Sequence, residues 1–362
     1  MFKNYKIIDA DAHVYEPHNI WEEYLEPAFK HFAPSPDLKI QGEPIINKFS
    51  EQYLRQWAKP FLEVEPLAGA DPQIQVQAMM EMGVDVAFIY PTSLLFITAV
   101  NTMGSQLVGA FVRAYNNWLR DFCSFNPQIL KGVGSINLHD PEEMVPELLR
   151  IVNFGWKAVF LRPNPVKGRI LSDRAYEPFW TKCEELAIAV GIHEGTPSRL
   201  PTAGADRFNT RFALRACSHP MEQMMALLTL IEGGVLERHP QLKVGFLESG
   251  CGWLPYWLWR LDREYESSRW EVADNVKMKP SEYFRRQCFI SMEPSEPHLS
   301  QVIEYIGSDN ILFGSDYPHG EYESDIVEQV VALEGQLPQG TVEKILWDNP
   351  ARFYGIGRMA PR

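Results

Sequence analysis

The sequence predicts an α/β fold, a (β/α)8 TIM barrel with loop insertions at its C-terminal face. Three observations lead there: eight short apolar runs recur along 362 residues, helical patterns lie between most of them, and polar side chains suited to metals stand at the C-terminal ends of four of the runs. The runs are Lys6–His13, Asp85–Thr92, Leu130–Asn137, Lys157–Asn164, Ala187–Glu194, Leu242–Glu248, Cys288–Met292 and Asn310–Asp316. Continuous apolar character is what strands buried on both faces require. The helical patterns include Gln75–Met82, Pro141–Val152 and Met221–Glu237. Alternation of this kind implies a parallel sheet, and eight repeats favour its closure. The alternative is a doubly wound open sheet. It is disfavoured because no glycine-rich phosphate fingerprint follows the first strand.

Three stretches are too long for plain connectors. Residues Glu16–Ala70 read as an excursion beside the barrel mouth, Gly195–Ser218 follows the fifth strand, and Trp253–Glu282 follows the sixth. Loops leaving the C-terminal ends of barrel strands shape the active site, so the last two are candidate walls and lids. No repeat or low-complexity linker interrupts the chain, and one domain over residues 1–362 is the simplest reading.

Composition narrows the class. A net charge of −13 without a Lys/Arg cluster repels phosphate backbones and anionic lipid, which argues against nucleic acid or a membrane as a partner. The five cysteines, Cys123, Cys183, Cys217, Cys251 and Cys288, include no CxxC pair, so neither a disulfide framework nor a structural zinc knot is expected. No export signal or membrane-length apolar run is visible. An unprocessed cytoplasmic protein is the expectation.

The chemistry starts at IIDADAH, where the period of a strand places Asp9, Asp11 and His13 on one face. Carboxylates in line inside a barrel are costly unless a cation offsets them. Their plainer reading is loop capping or ion pairing at the rim. In AIAVGIHEG, His193 shares a face with Ala189 and Gly191, small residues that leave room within the barrel; in ILFGSDYPH, Gly314 and Asp316 share one. Each residue alone reads as structural. Together, Asp11, His13, His193 and Asp316 supply two carboxylates and two imidazoles, a set suited to Zn²⁺, Mn²⁺ or Fe²⁺.

The combination of DADAHVYEP, HEG, GVLERHPQLKVGFLESGCGW and ILFGSDYPH resembles the amidohydrolase-related branch of the amidohydrolase superfamily, the branch of aminocarboxymuconate-semialdehyde and resorcylate-type decarboxylases. The resemblance covers nearly the whole chain. It implies a (β/α)8 barrel, metal ligation by Asp11, His13, His193 and Asp316, and contact of Asp316 with the metal-bound water or substrate. Relatives often carry His or Glu where this chain has Asp11. A departure lies at Glu248, where decarboxylases of the branch usually have a His in an H-x-G-x-G pattern. A neutral imidazole relays protons near neutral pH, whereas a carboxylate binds metal or needs a raised pKa to act as an acid. The alternative role for Glu248 is to orient a ligand histidine.

His219, read as opening the helix after the long loop, and His319 and Glu16, three residues past Asp316 and His13, have both site and structural readings. Glu248, His219 and His319 pointing inward would hold a second ion, while KAVFLRPN on the fourth strand offers no bridging Lys or Glu. Arg162, Arg199 and Trp253 are candidate substrate contacts, with rim ion pairs and core packing as the plainer alternatives. His18, His31, His139, His239 and His298 receive no role.

The expected function is a metal-dependent enzyme that hydrolyses or non-oxidatively decarboxylates a small carboxylate or amide, aromatic ones included, with Asp316, His219 and Glu248 as catalytic groups. A dinuclear iron oxygenase on the same barrel and a non-catalytic barrel subunit are the alternatives. A homo-oligomer is expected, and a hetero-oligomer with a related subunit is compatible with the sequence.

Overall fold

The computed structural model describes residues 5–17, 19–34, 70–194, 200–319 and 323–357, with the backbone of residues 39–40 and 43–44. Every expected strand is present: β1 (Ile8–His13), β2 (Val86–Tyr90), β3 (Leu130–Gly132 and Gly134–Ser135), β4 (Ala158–Leu161), β5 (Ala189–His193), β6 (Lys243–Leu247), β7 (Cys288–Met292) and β8 (Ile311–Phe313). Neighbours pair in parallel, in chain order. The first piece of β3 pairs with β2 and the second with β4, so the strand is a hinge between two stretches of the wall. Past the regular ladder, the Asp316 N–H donates to Asp11 O at 2.9 Å and the His13 N–H to Tyr317 O at 2.7 Å. Those bonds join the end of the eighth strand to the first and close the barrel.

Most strands are shorter than the apolar runs suggest. Glu248 (φ 50°) and Asp316 (φ 57°) adopt left-handed backbone, which a ladder does not accommodate, so the chain leaves the sheet where the polar side chains begin. In β1 a register shift between Asp9 and Ala12 breaks the two-residue period. The expectation that Asp9, Asp11 and His13 share a face therefore fails for Asp9, whose carboxylate accepts from the N–H groups of Asp11 (3.1 Å) and Ser315 (3.0 Å) and from the Ser315 hydroxyl.

Helices begin where local chemistry allows them. Asp71 caps Pro72–Met82 by accepting from Gln73 N at 2.7 Å, and Asp140 caps Pro141–Asn153 through Glu142 N at 3.1 Å; each helix has proline at its start, where no N–H is needed. Thr210 caps Arg211–Glu232 through Ala213 N at 3.3 Å. His219 thus sits two turns inside this helix instead of opening it, and the connector after β5 is correspondingly shorter than expected. The stretch after β6 is also ordered, as helices Leu254–Ser268 and Pro280–Gln287. In the long excursion the described residues form a helix at Ile20–Tyr24 and a 3-10 turn at Pro27–Phe32; the rest lies largely outside the described residues. No helix among the described residues is long and apolar enough to cross a membrane, and the five cysteines are free thiols.

The barrel interior is filled by Ile8, Phe88, Phe160, Phe289 and Leu312 among others, with Phe353 and Tyr354 of the C-terminal helix Asn349–Tyr354 inserted among them. A Cβ at Gly245 would stand 2.7 Å from the Phe353 ring, and one at Gly191 would stand 2.3 Å from the Tyr90 hydroxyl. The room that Gly191 leaves is thus taken by Tyr90, whose hydroxyl pairs with that of Tyr354 (2.9 Å), which in turn donates to Ala10 O (2.6 Å). This plug is the floor on which the polar mouth rests. Tyr354→Phe leaves buried polar partners unmatched and is expected to lower unfolding free energy by about 1–3 kcal/mol, read as a shifted urea midpoint with an unchanged slope.

Candidate metal centre

Four strand ends bring their side chains to one place. The His13 Nδ1 lies 3.0 Å from Pro91 O; a carbonyl only accepts, so Nδ1 carries the proton and the Nε2 lone pair faces inward. That Nε2 stands 3.5 Å from Asp11 Oδ1, 3.5 Å from Asp316 Oδ1 and 3.8 Å from Glu248 Oε2. His193 Nε2 stands 3.6 Å from Asp11 Oδ1 and 2.8 Å from Glu248 Oε2. A divalent ion with ligands at about 2.0–2.2 Å holds neighbouring donor atoms roughly 3–3.5 Å apart, close to this spacing. Asp11 Oδ1 and His13 Nε2 are also buried without a hydrogen-bond partner, and His193 Nε2 has only the Glu248 carboxylate beside it at hydrogen-bond distance. Buried polar atoms are ordinarily satisfied, and such atoms converging on one point fit a cation. Gly314 contributes space, since a Cβ there would stand 2.6 Å from that of Asp11.

Electrostatics lead to the same reading. Burial pushes the Asp11 carboxyl up to about 8; burial, then the charge of Glu248, pushes Asp316 well above the usual carboxylate range. Burial also pushes Glu248 upward, but His193 and His219 outweigh it and hold the group well below its ordinary value. Burial keeps His13 and His219 below the ordinary imidazole value, which favours the neutral form that ligates metals. Without a cation, ionising Asp11 and Asp316 is unfavourable. A divalent ion lowers that cost.

The remaining candidates separate. His219 Nε2 is 3.5 Å from Glu248 Oε1, and its Nδ1 is 3.1 Å from the Ser218 hydroxyl. His319 uses Nδ1 on Asp316 Oδ1 (2.6 Å) and Nε2 on the Thr92 hydroxyl (2.8 Å), while its ring stacks on His13 at 4.1 Å between centroids. Among the described residues, the donor atoms within mutual reach form the sets Asp11, His13, His193 and His13, Glu248, Asp316, His319. Neither set joins Glu248, His219 and His319 as the sequence suggested for a second ion: the second set takes Glu248 and His319 without His219, and both nitrogens of His319 already have partners. Both sets share His13, whose single inward lone pair serves one ion. Glu16 accepts from the N–H groups of Thr92, Ser93 and Leu94, a loop-stabilising role.

The substrate contacts inferred from sequence fare differently. Arg162 is 2% exposed; its guanidinium donates to Leu95 O (3.0 Å) and reaches Glu194 Oε1 (3.4 Å). It is a buried structural ion pair. Trp253, just before helix Leu254–Ser268, packs against the hydrophobic core and is not among the residues that line the cavity at the mouth. Arg199 lies outside the described residues. Asp11, Arg215, His219, Glu248, Ser291 and Asp316 line a cavity of about 420 Å³, and the guanidinium of Arg215 stands 3.7 Å from Glu248 Oε1. Sequence reasoning missed Arg215 by reading its segment as loop; the cap at Thr210 and the four-residue spacing to His219 would have placed it on the facing side. His193→Ala is expected to abolish metal retention, measured as metal content after purification without added metal; full occupancy in that variant would contradict the site.

The amidohydrolase family matches residues 8–356. The chain is 25% identical over 287 residues to 2-amino-3-carboxymuconate-6-semialdehyde decarboxylase of Dictyostelium discoideum, covering 79% of this chain and 77% of that protein. It is 25% identical over 257 residues to gamma-resorcylate decarboxylase of a Polaromonas species, covering 68% and 76%, and 23% identical over 349 residues to 2-keto-4-carboxy-3-hexenedioate hydratase of a Sphingobium species, covering 91% and 90%. Among solved structures, an amidohydrolase from Mycobacterium avium subsp. paratuberculosis superposes with a TM-score of 0.77 at 23% identity, covering 98% of this chain and 99% of that one. The 5-carboxyvanillate decarboxylase of Novosphingobium aromaticivorans, complexed with manganese and 4-hydroxy-3-methoxy-5-nitrobenzoic acid, superposes with a TM-score of 0.76 at 20% identity, covering 98% and 97%. With a closed barrel, a convergent donor set at its mouth and a family match running almost end to end, the chain belongs to the amidohydrolase family.

Proposed function

We propose that this protein is a carboxy-lyase dependent on one divalent ion, manganese being a good candidate, that removes CO₂ without an oxidant from a small aromatic carboxylate. The observation that carries this reading is the imidazole of His219 facing the cavity beside the donor set, with the Arg215 guanidinium four residues before it on the same helix. Two of the described relatives are decarboxylases of carboxylates by name, which supports it.

Asp11, His13, His193, Glu248 and Asp316 are the residues that would hold the ion. When bound, a divalent ion supplies Lewis acidity and a charge anchor for a carboxylate and an adjacent hydroxyl. The chain does the rest. Arg215 and His219 orient the substrate's polar edge from the cavity wall. As the bond between ring carbon and carboxylate breaks, its electron pair stays on the ring carbon, and a proton from the Asp316 carboxyl completes the new C–H bond while CO₂ leaves. His319 holds the Asp316 oxygen through Nδ1, so the acid keeps its direction.

A second reading, addition of water to a small unsaturated or amide substrate, is favoured by Glu248. Its carboxylate is held ionised between His193 and His219 where branch decarboxylases usually carry histidine, and an ionised carboxylate at that place suits a base for water. The hydratase relative, matched over 91% of the chain, supports this route.

Metal-reconstituted protein incubated anaerobically with ortho-hydroxybenzoates is expected to release CO₂ in step with substrate loss. Asp316→Asn should lower kcat by about 10²–10⁴-fold. Absence of CO₂ release, together with turnover of unsaturated diacids or amides, would replace the first reading by the second.

A further inference from the structure

The glycines of Glu248-Ser249-Gly250-Cys251-Gly252 are not explained by metal binding. Their surroundings explain them. The carboxylate of Glu296, on the segment after β7, accepts from the N–H of Cys251 with both oxygens (2.9 and 3.1 Å), from the N–H of Gly252 (2.6 Å), and from the N–H of Glu293 (3.0 Å). The Cys251 thiol donates to it as well, at 3.2 Å. Successive N–H groups converging on one anion form a nest. A Cβ at Gly250 would stand 2.9 Å from Glu296 Oε1, and one at Gly252 3.0 Å from the same atom, so a side chain at either would push the carboxylate back from the N–H groups it accepts from. Gly250 also holds φ 63°.

This nest begins two residues after Glu248, whose own φ of 50° costs a residue with a side chain about 1–3 kcal/mol and persists only where its surroundings impose it. Two contacts impose it. The Glu248 N–H donates to the Ser291 hydroxyl at 3.0 Å, and the turn that follows is clamped by Glu296 to the segment after β7. Both segments supply cavity wall, through Ser249 and Gly250 on one side and Glu293, Pro294 and Ser295 on the other.

We propose that Glu296 is a positioning residue for the metal centre: by filling the nest after Glu248 it holds Glu248 in the strained backbone that aims its carboxylate at the ion. The inference rests on reading Asp11, His13, His193, Glu248 and Asp316 as one centre, and it is independent of which reaction that centre catalyses. Glu296 itself does not line the cavity. Its effect passes through Glu248 alone.

A double-mutant cycle isolates that route. Manganese dissociation constants are measured by chelator competition for the native protein, Glu296→Gln, Glu248→Ala and the double variant, with thermal unfolding of each recorded alongside. Glu296→Gln is expected to weaken manganese binding about 10–100-fold in the native background, the range for residues that orient ligands, and to leave it unchanged in the Glu248→Ala background. Unchanged affinity in Glu296→Gln, or an equal loss in both backgrounds, would overturn the proposal. Should Glu296→Gln fail to fold, Glu296→Asp, which keeps the charge and withdraws it from the nest, runs the same cycle with the same expectation. A native protein that binds no manganese would overturn the metal reading itself, and it would show this before any substitution was made.

Discussion

Three carboxylates and two imidazole lone pairs meet at the mouth of the barrel, where Glu248 and Asp316 are partly exposed to the cavity, and the mouth is organised around neutralising them. Asp11 and His13 are almost wholly buried, as is His193, and burying ionised groups without compensation is among the most expensive arrangements a protein can adopt. Protons can relieve it, which is why burial drives Asp11 and Asp316 upward. A divalent cation relieves it more completely, because it satisfies the carboxylate oxygens and the inward nitrogens together. The supporting groups make sense in that light: Pro91 O fixes the tautomer of His13, and His319 fixes Asp316.

The fold delivers these groups by departing from regularity where regularity would misplace them. The register shift in β1 diverts Asp9 to Ser315 and leaves Asp11 and His13 inward. Left-handed backbone at Glu248 and Asp316 ends two strands and turns their carboxylates over the mouth. Beneath, Phe353, Tyr354 and Tyr90 fill the interior so that the donors rest on a packed floor. The strained positions therefore lie at the site, and the scaffold that holds them is ordinary apolar packing.

Much of this was legible in the sequence, for identifiable reasons. Buried parallel strands are apolar on both faces, so eight runs stood out, and residues such as His193 and Asp316 stood out at their ends because polar groups there interrupt the pattern. Periodicity alone did not reveal the β1 bulge and so misjudged Asp9. The helix carrying His219 was begun too late because its first turns, Arg211 to Cys217, are mixed in polarity and only Thr210 marks the start; Arg215 was lost with it. Arg162 reads as a substrate contact from sequence because its partner Glu194 lies just past the end of the next strand, 32 residues along the chain. Glu296 left no signal of its own, since what identifies it is a set of backbone N–H groups some 45 residues earlier.

We propose that one divalent ion sits among Asp11, His13, His193, Glu248 and Asp316. Crystals of the manganese-loaded protein, measured at a wavelength where manganese scatters anomalously, test it most directly. A single strong anomalous peak per chain is expected, with Asp11, His13 and His193 donor atoms about 2.0–2.4 Å away. A peak elsewhere, or none at full loading, with those atoms hydrogen-bonded to one another, would contradict it.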